Sequence, residues 1–225
     1  MMSRLSRACA IFATLLLASC ASSDLAILPK SAVAGGGQAS GSKGFRLPFV
    51  QCETFPTAKP SAETLAAAAT KQQDRHGMPV YKYSDRKRVV RTTAYTHTEA
   101  DHLAYSNKNA TGTPLQYGQR VRSAAADWSF YPVGTVFRIS GLPYLYVIDD
   151  YGSALTVSGT IDIYKPSKAL MKEWGRREVE IHVVRWGSFE RSAEILATRT
   201  RYDHCRRMLA NIVRQMPETA RFVKN

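Results

Sequence analysis

Val147-Ile148-Asp149-Asp150-Tyr151-Gly152-Ser153-Ala154-Leu155, followed by Gly159-Thr160-Ile161-Asp162-Ile163-Tyr164, is the stretch that decides the fold. Each segment is a short apolar run bounded by Gly and Ser, which is how short strands read. Ile161 and Ile163 flank Asp162, so isoleucines turned to a core would send that carboxylate to the opposite face. Asp149 and Asp150 are neighbours at a strand end. Strand neighbours face opposite sides, so only one of the two should look into a given cleft. Asp149 then reads as a solvated or turn aspartate.

Outward from this stretch, strand candidates lie at 89–95, 120–125, 135–139, 144–149, 160–164 and 178–186. Turns at Pro132-Val133-Gly134 and Gly141-Leu142-Pro143 separate three of them. The last strand alternates, with Val179, Ile181 and Val183 on one face and Glu178, Glu180 and His182 on the other. Pro166 opens a short helix over 167–174, which Gly175 can end. Six or so short strands in so little chain suggest a small closed barrel. Residues 96–118 form a long polar loop, and loops of that length usually carry function. Its two histidines, His97 and His102, have no third ligand at zinc-like spacing, so no metal and no cofactor is implied. The Asn109-Ala110-Thr111 sequon has no meaning without a eukaryotic secretory route.

Residues 189–216 read as one amphipathic helix, with Ile195, Tyr202, Cys205, Leu209, Ile212 and Met216 at near 3.6-residue spacing. The other face carries Arg191, Arg199, Arg201, Arg206, Arg207 and Arg214, either as a solvated surface or as a contact for anionic wall or lipid.

The N-terminus points to export. Arg4 and Arg7 precede an apolar run over 8–18, too short to span a bilayer and of the length of a secretory h-region. It ends in Leu17-Ala18-Ser19-Cys20, which resembles a bacterial lipobox. The expectation is a signal peptide over 1–19 and a lipid on Cys20. Ala21, where an inner-membrane retention signal would have aspartate, favours the periplasmic face of the outer membrane. Residues 20–88 read as the lipidated cysteine and a disordered tether, rich in small and polar residues, with a short helix over 61–73 that Ser61 could cap.

The formal charge is +13, and removal of residues 1–19 takes two arginines and no acid, leaving +11. Such an excess speaks of partners, not fold. Export argues against nucleic acid and for peptidoglycan carboxylates or lipid phosphates. Cys52 and Cys205 remain after export and lipidation of Cys20, and an oxidising compartment lets them pair as a disulfide or persist as two thiols.

The ordered set Asp127, Tyr131-Pro132-Val133-Gly134-Thr135, Asp150-Tyr151-Gly152-Ser153-Ala154 and Ile161-Asp162-Ile163-Tyr164 resembles the three-aspartate (3D) domain. The resemblance covers about residues 91–186, with Thr93-Ala94-Tyr95-Thr96 and Ala110-Thr111-Gly112 matching its first strand and glycine-bearing loop. It implies a mainly β fold: a six-stranded double-psi β-barrel over 89–187, followed by a C-terminal helical extension over 188–225. It also implies a peptidoglycan lytic transglycosylase-like activity, with Asp150 as acid/base. Asp127 and Asp162 accompany Asp150, and Tyr95, Thr96, Thr111, Gly112, Gly152, Ser153 and Ala154 line the substrate. Peptidoglycan glycan strands are the implied partner. Ser153 stands where the family has a second glycine, Thr156 where a lysine is common, and the interval from Asp150 to Asp162 is one residue longer than usual. No counterpart of the transglycosylase's second domain is legible, which favours a module that grips glycan without cutting it, whereas the intact ordered aspartates favour the enzyme; a structural lipoprotein linking outer membrane and wall is a third reading.

On the residues alone, bland roles remain open. Asp127 could hold backbone N–H groups at the Pro132 turn. Asp162 could serve cleft or architecture. Gly152 could supply backbone freedom. Tyr95, Tyr105, Tyr144 and Tyr151 could be core rather than sugar platforms.

Overall fold

A computed structural model describes residues 57–100 and 102–223. The signal peptide, Cys20 and Cys52 lie outside the described residues. Six strands close into a barrel: β1 (Lys87–Tyr95), β2 (Val121–Ala126), β3 (Val136–Ile139), β4 (Leu145–Asp150), β5 (Ile161–Tyr164) and β6 (Arg177–Arg185). Their order around the barrel is β1-β5-β2-β4-β3-β6. The pairs β1·β5 and β2·β4 are parallel and the other four antiparallel. Each strand falls within two residues of its expected position.

Alternation builds the core. Val179, Ile181 and Val183 of β6 are wholly buried, as are Ile161 and Ile163 of β5 and Ala124 and Ala126 of β2. Phe137 and Tyr146, paired across β3 and β4, stack with ring centroids 5.4 Å apart. The alanines of β2 keep side-chain volume small in the middle of a narrow barrel. Helix α2 (Lys168–Trp174) bridges β5 and β6. Ser167 caps it by accepting from the Leu170 N–H, and Gly175 ends it at φ +60, a conformation that suits glycine.

The C-terminal segment departs from expectation. It is two helices, α3 (Phe189–Ala197) and α4 (Asp203–Gln215), not one. Apolar spacing runs in phase through the break, because periodicity reports which face is buried and not whether the helix is continuous. The overlooked signal is Thr198-Arg199-Thr200-Arg201, a polar run with two β-branched residues. Ala193 and Leu196 of α3, with Cys205, Met208, Leu209 and Ile212 of α4, pack on the core.

Residues 57–86, read above as tether, are tied to the barrel. Helix α1 (Ala62–Ala69) is capped by Ser61 as expected, and the Ser61 N–H donates to Glu180 Oε2 at 3.0 Å. Asp74 Oδ2 accepts from the Gly159 N–H at 2.8 Å. Met78 and Val89 are buried together with Ala68. The compact unit therefore begins at least thirty residues earlier than the composition suggested.

Cys205 carries a free thiol in a wholly buried position on α4. The expected bridge involves Cys52, which lies outside the described residues. The thiol lies against Tyr151 and Arg199, where burial pushes its pKa up.

Candidate active site

The three aspartates of the motif occupy different environments. Asp150 ends β4 with only 6% of its surface exposed. Its Oδ1 accepts from the N–H groups of Ala110 and Tyr151 at 3.1 and 2.9 Å, and its Oδ2 from the Tyr95 hydroxyl at 3.1 Å. Burial raises its pKa to about 6, against the pull of these donors and of Arg199. The fully buried Trp128 fixes the strand end by donating to the Asp150 carbonyl at 2.9 Å.

Asp162 and Asp150 share a face. In register, Thr93 pairs with Asp162, Asp162 with Ala125, and Ala125 with Asp150. These four residues form a row across the outer face, opposite the buried Ala124 and Ala126. Strands two apart put the two carboxylates roughly 10 Å from each other, with Ala125 at the register position between them. Asp162 Oδ1 accepts from the Thr93 hydroxyl at 2.8 Å.

Asp127 is elsewhere. Wholly buried, it accepts the Ser129 N–H and hydroxyl on Oδ1 (2.8 and 2.6 Å) and the Val157 N–H on Oδ2 (2.6 Å). Val157 holds φ +59, a costly conformation for a β-branched residue, and Asp127 helps fasten it. Burial raises the Asp127 pKa. The geometry is that of a loop clasp.

Asp149 overturns its reading as a solvated neighbour facing away. It is 7% exposed, and its Oδ2 accepts from the Ser123 hydroxyl at 2.6 Å and the Asn109 amide at 2.9 Å. The cause is a β-bulge. Ala124 pairs with Ile148 but Ala125 with Asp150, so Asp149 is the extra residue that breaks strict alternation. Burial, and next the Asp150 charge opposed by the Ser123 bond, bring its pKa to about 7.

The other expected lining residues divide. Tyr95 joins the cleft, where burial and the Asp150 and Asp149 charges hold its pKa well up. Thr96 is buried and its N–H donates to Glu99 Oε2, so it forms a turn. Thr111 is exposed and bonds to Asn109 Oδ1, while Gly112 makes the loop tip at φ +84. Gly152 is extended at φ −145, and an added Cβ would meet Leu155 at an ordinary 3.6 Å, so it supplies no special backbone freedom. Ser153 and Ala154 are exposed in a 3-10 turn, and Arg75 donates to the Ala154 carbonyl. Tyr144 belongs to the core and Tyr105 is exposed. His97 is engaged with the Tyr164 hydroxyl and His102 with the Lys108 carbonyl.

Two decisive residues escaped the sequence reading. Asn109 gathers the N–H and hydroxyl groups of Thr111 and Thr113 on its Oδ1 and reaches Asp149 with its amide. An asparagine three residues before a glycine was a turn signal hidden under the sequon. Arg199, counted on a solvated basic face, sits in the α3–α4 turn. It donates to the Tyr151 hydroxyl at 3.0 Å and to the Ala110 carbonyl at 2.7 Å. The Ala110 peptide thus spans from Arg199 to Asp150 and covers the carboxyl. A cavity of about 180 Å³ near Tyr81, Tyr83 and Phe189 shares no residue with this cleft.

The buried pair has a consequence for stability. Folded-state values near 7 and 6 lie above the ordinary 3.8, so the native state binds more protons than the unfolded chain between these limits. That contribution is full below the ordinary value and is lost as pH rises through 6 to 7. The melting temperature should be higher at pH 5 than at pH 8, and Asp149→Asn with Asp150→Asn together should flatten the difference. A scan showing equal melting at both pH values in the parent would remove the buried-pair assignment.

Comparison with curated proteins finds no match to the chain. Residues 122–185 match the family model of the 3D domain, a span from the second strand of the barrel to the end of the sixth. The match includes Asp127, Asp150 and Asp162, and it agrees with the ordered aspartates and the closed barrel: this chain carries a 3D domain.

Proposed function

We propose that the protein is a peptidoglycan lytic transglycosylase-like lipoprotein that uses Asp150 as its acid and base. The 3D domain supports a cell-wall-related function. The observation that carries the catalytic reading is the Asp150 carboxyl itself: desolvated, raised to about 6 and backed by the Tyr95 hydroxyl. Such a group keeps a useful protonated fraction near neutral pH and still accepts a proton afterwards.

The reaction needs one such carboxyl. Asp150 protonates the glycosidic oxygen between N-acetylmuramic acid and N-acetylglucosamine, and the bond to the anomeric carbon breaks. The muramic 6-hydroxyl attacks that carbon and passes its proton to the Asp150 carboxylate. The product is a 1,6-anhydro sugar. Because the nucleophile is part of the substrate, proximity replaces the second carboxylate that a hydrolase places nearby. Asp162, on the same face, would hold the glycan or the Thr93 side of the cleft, and Asp127 would keep the bordering loop in shape.

A specific observation favours a second reading. Asp150 is covered, and a glycosidic oxygen reaches it only if the Ala110 peptide lifts. A domain that keeps that loop shut would bind glycan on its basic surface without cutting. Sacculi incubated with the protein separate the two: anhydro-muropeptides in the supernatant mean a lytic transglycosylase, new reducing ends a hydrolase, and retention without products a binding module.

The lipobox supports anchoring through Cys20 at the periplasmic face of the outer membrane. Cys20→Ser should leave the protein in the soluble fraction or unprocessed. Unchanged fractionation with the outer membrane would sink the anchor.

A further inference from the structure

Arg199 reaches the two residues whose N–H groups hold Asp150. It donates to the Ala110 carbonyl at 2.7 Å and to the Tyr151 hydroxyl at 3.0 Å, and Ala110 and Tyr151 each donate a backbone N–H to Asp150 Oδ1. The Ala110 peptide is thus held between a guanidinium and a carboxyl, and in that position it leaves Asp150 only 6% exposed. The charge on this turn is unbalanced. Both acceptors of Arg199 are neutral, and Arg201, two residues on, donates to the Tyr202 hydroxyl. The nearby Asp203 is already paired with Arg206 and Arg207. Among the described residues, no carboxylate forms an ion pair with Arg199 or Arg201. A planar guanidinium binds a carboxylate through two parallel charge-assisted bonds, which a peptide carbonyl cannot match.

We infer that Arg199 is the latch on the Ala110 cover and the residue that reads a carboxylate of the glycan substrate: capture of Arg199 by that carboxylate frees the Ala110 carbonyl and uncovers Asp150. This rests on the catalytic reading of Asp150 above. The carboxylate belongs to muramic acid itself or to the peptide it bears; a neutral chitin-like glycan has none. Such a ligand drives opening because it meets the guanidinium better once the carbonyl has let go, and a ligand without that difference shifts nothing. Burial raises the proton affinity of Asp150; the Ala110 N–H and Arg199 oppose it by favouring the charged form, which cannot donate a proton. Release of the latch removes both of these opposing pulls.

Exchange of the Ala110 amide with solvent deuterium, followed by NMR on the full chain, reads the latch without any cleavage. Three disaccharides that lack the scissile bond serve as probes. N-acetylglucosaminyl-N-acetylmuramic acid carries the lactyl carboxylate, the same disaccharide with its stem peptide carries carboxylates on the peptide, and diacetylchitobiose is neutral. At saturation, one or both of the acidic disaccharides should speed Ala110 exchange about tenfold or more over the ligand-free protein, the effect of losing one hydrogen bond to a charged group. Which of them does so identifies the source of the carboxylate. Diacetylchitobiose should leave exchange unchanged. Arg199→Met should exchange about tenfold faster than the parent without ligand and should no longer respond to either acid. Equal exchange with all three probes, no response to either acid, or an Ala110 amide as protected in Arg199→Met as in the parent overturns the latch. A parent that releases nothing from sacculi overturns the catalytic reading instead, and the exchange result still decides the latch. Should Arg199→Met fail to fold, Arg199→Lys keeps the charge but loses the fork that holds both acceptors. It should exchange faster than the parent by a smaller factor, and no change counts against the latch.

Discussion

Asp150→Asn should lower anhydro-muropeptide release by about 10²- to 10⁴-fold, the usual loss when a general acid–base is removed. The variant should still fold. Asparagine keeps an oxygen for the N–H groups of Ala110 and Tyr151, and its amide faces the Tyr95 hydroxyl, which can turn to accept. Glycan binding should survive as well, because the amide occupies the same space under the loop. The measurement pairs a melting curve with muropeptide analysis at several pH values. Equal release by a folded Asp150→Asn protein would remove Asp150 from the chemistry.

Gly187→Ala should be the most damaging small substitution in the barrel. A Cβ there would lie 2.1 Å from the Val133 carbonyl oxygen, 2.4 Å from that of Pro132 and 2.5 Å from the Thr135 nitrogen. All three are backbone atoms of the turn before β3, so no side chain can move aside. The close approach is locked by hydrogen bonds from the Gly187 N–H to the Thr135 hydroxyl at 3.1 Å and from the Ser188 N–H to the Val133 carbonyl at 3.0 Å. Forcing a methyl into that contact must break one of these bonds or shift the turn, and overpacking typically costs about 1–3 kcal/mol, with the upper end expected where only backbone can give way. Chemical denaturation should show a lower midpoint with an unchanged slope. A midpoint within error of the parent would mean that the turn and the β6 exit are not held together as described.

The fold was largely legible because its signals are local. Alternation in β6, the isoleucines around Asp162 and the turns at Pro132 and Gly141 each depend on neighbours in sequence, and every strand was placed to within two residues. The Ser61 and Ser167 caps were legible for the same reason. The order of the aspartates identified the 3D domain, since a motif spread over three segments is still a property of the sequence.

Tertiary structure decided how those pieces meet. Strict alternation predicted that Asp149 faces away from Asp150, and one bulge, defined only by pairing with β2, buried both beneath the same loop. Arg199 read as part of a solvated face because helical periodicity ran through the α3–α4 break; only the turn between the packed helices brings it to Ala110 and Tyr151. Asn109 matters through Asp149, forty residues along the chain. Gly187 is required by the backbone of a turn more than fifty residues earlier. Residues 57–86 looked like tether because composition measures how much apolar surface a segment carries, not whether a barrel stands ready to receive it. The sequence by itself therefore determined the strands, the caps and the order of the motif, all set by neighbours along the chain. Register, bulges, close backbone approaches and the proton affinity of a buried carboxyl depend on atoms distant in sequence, and only the closed barrel brings those together.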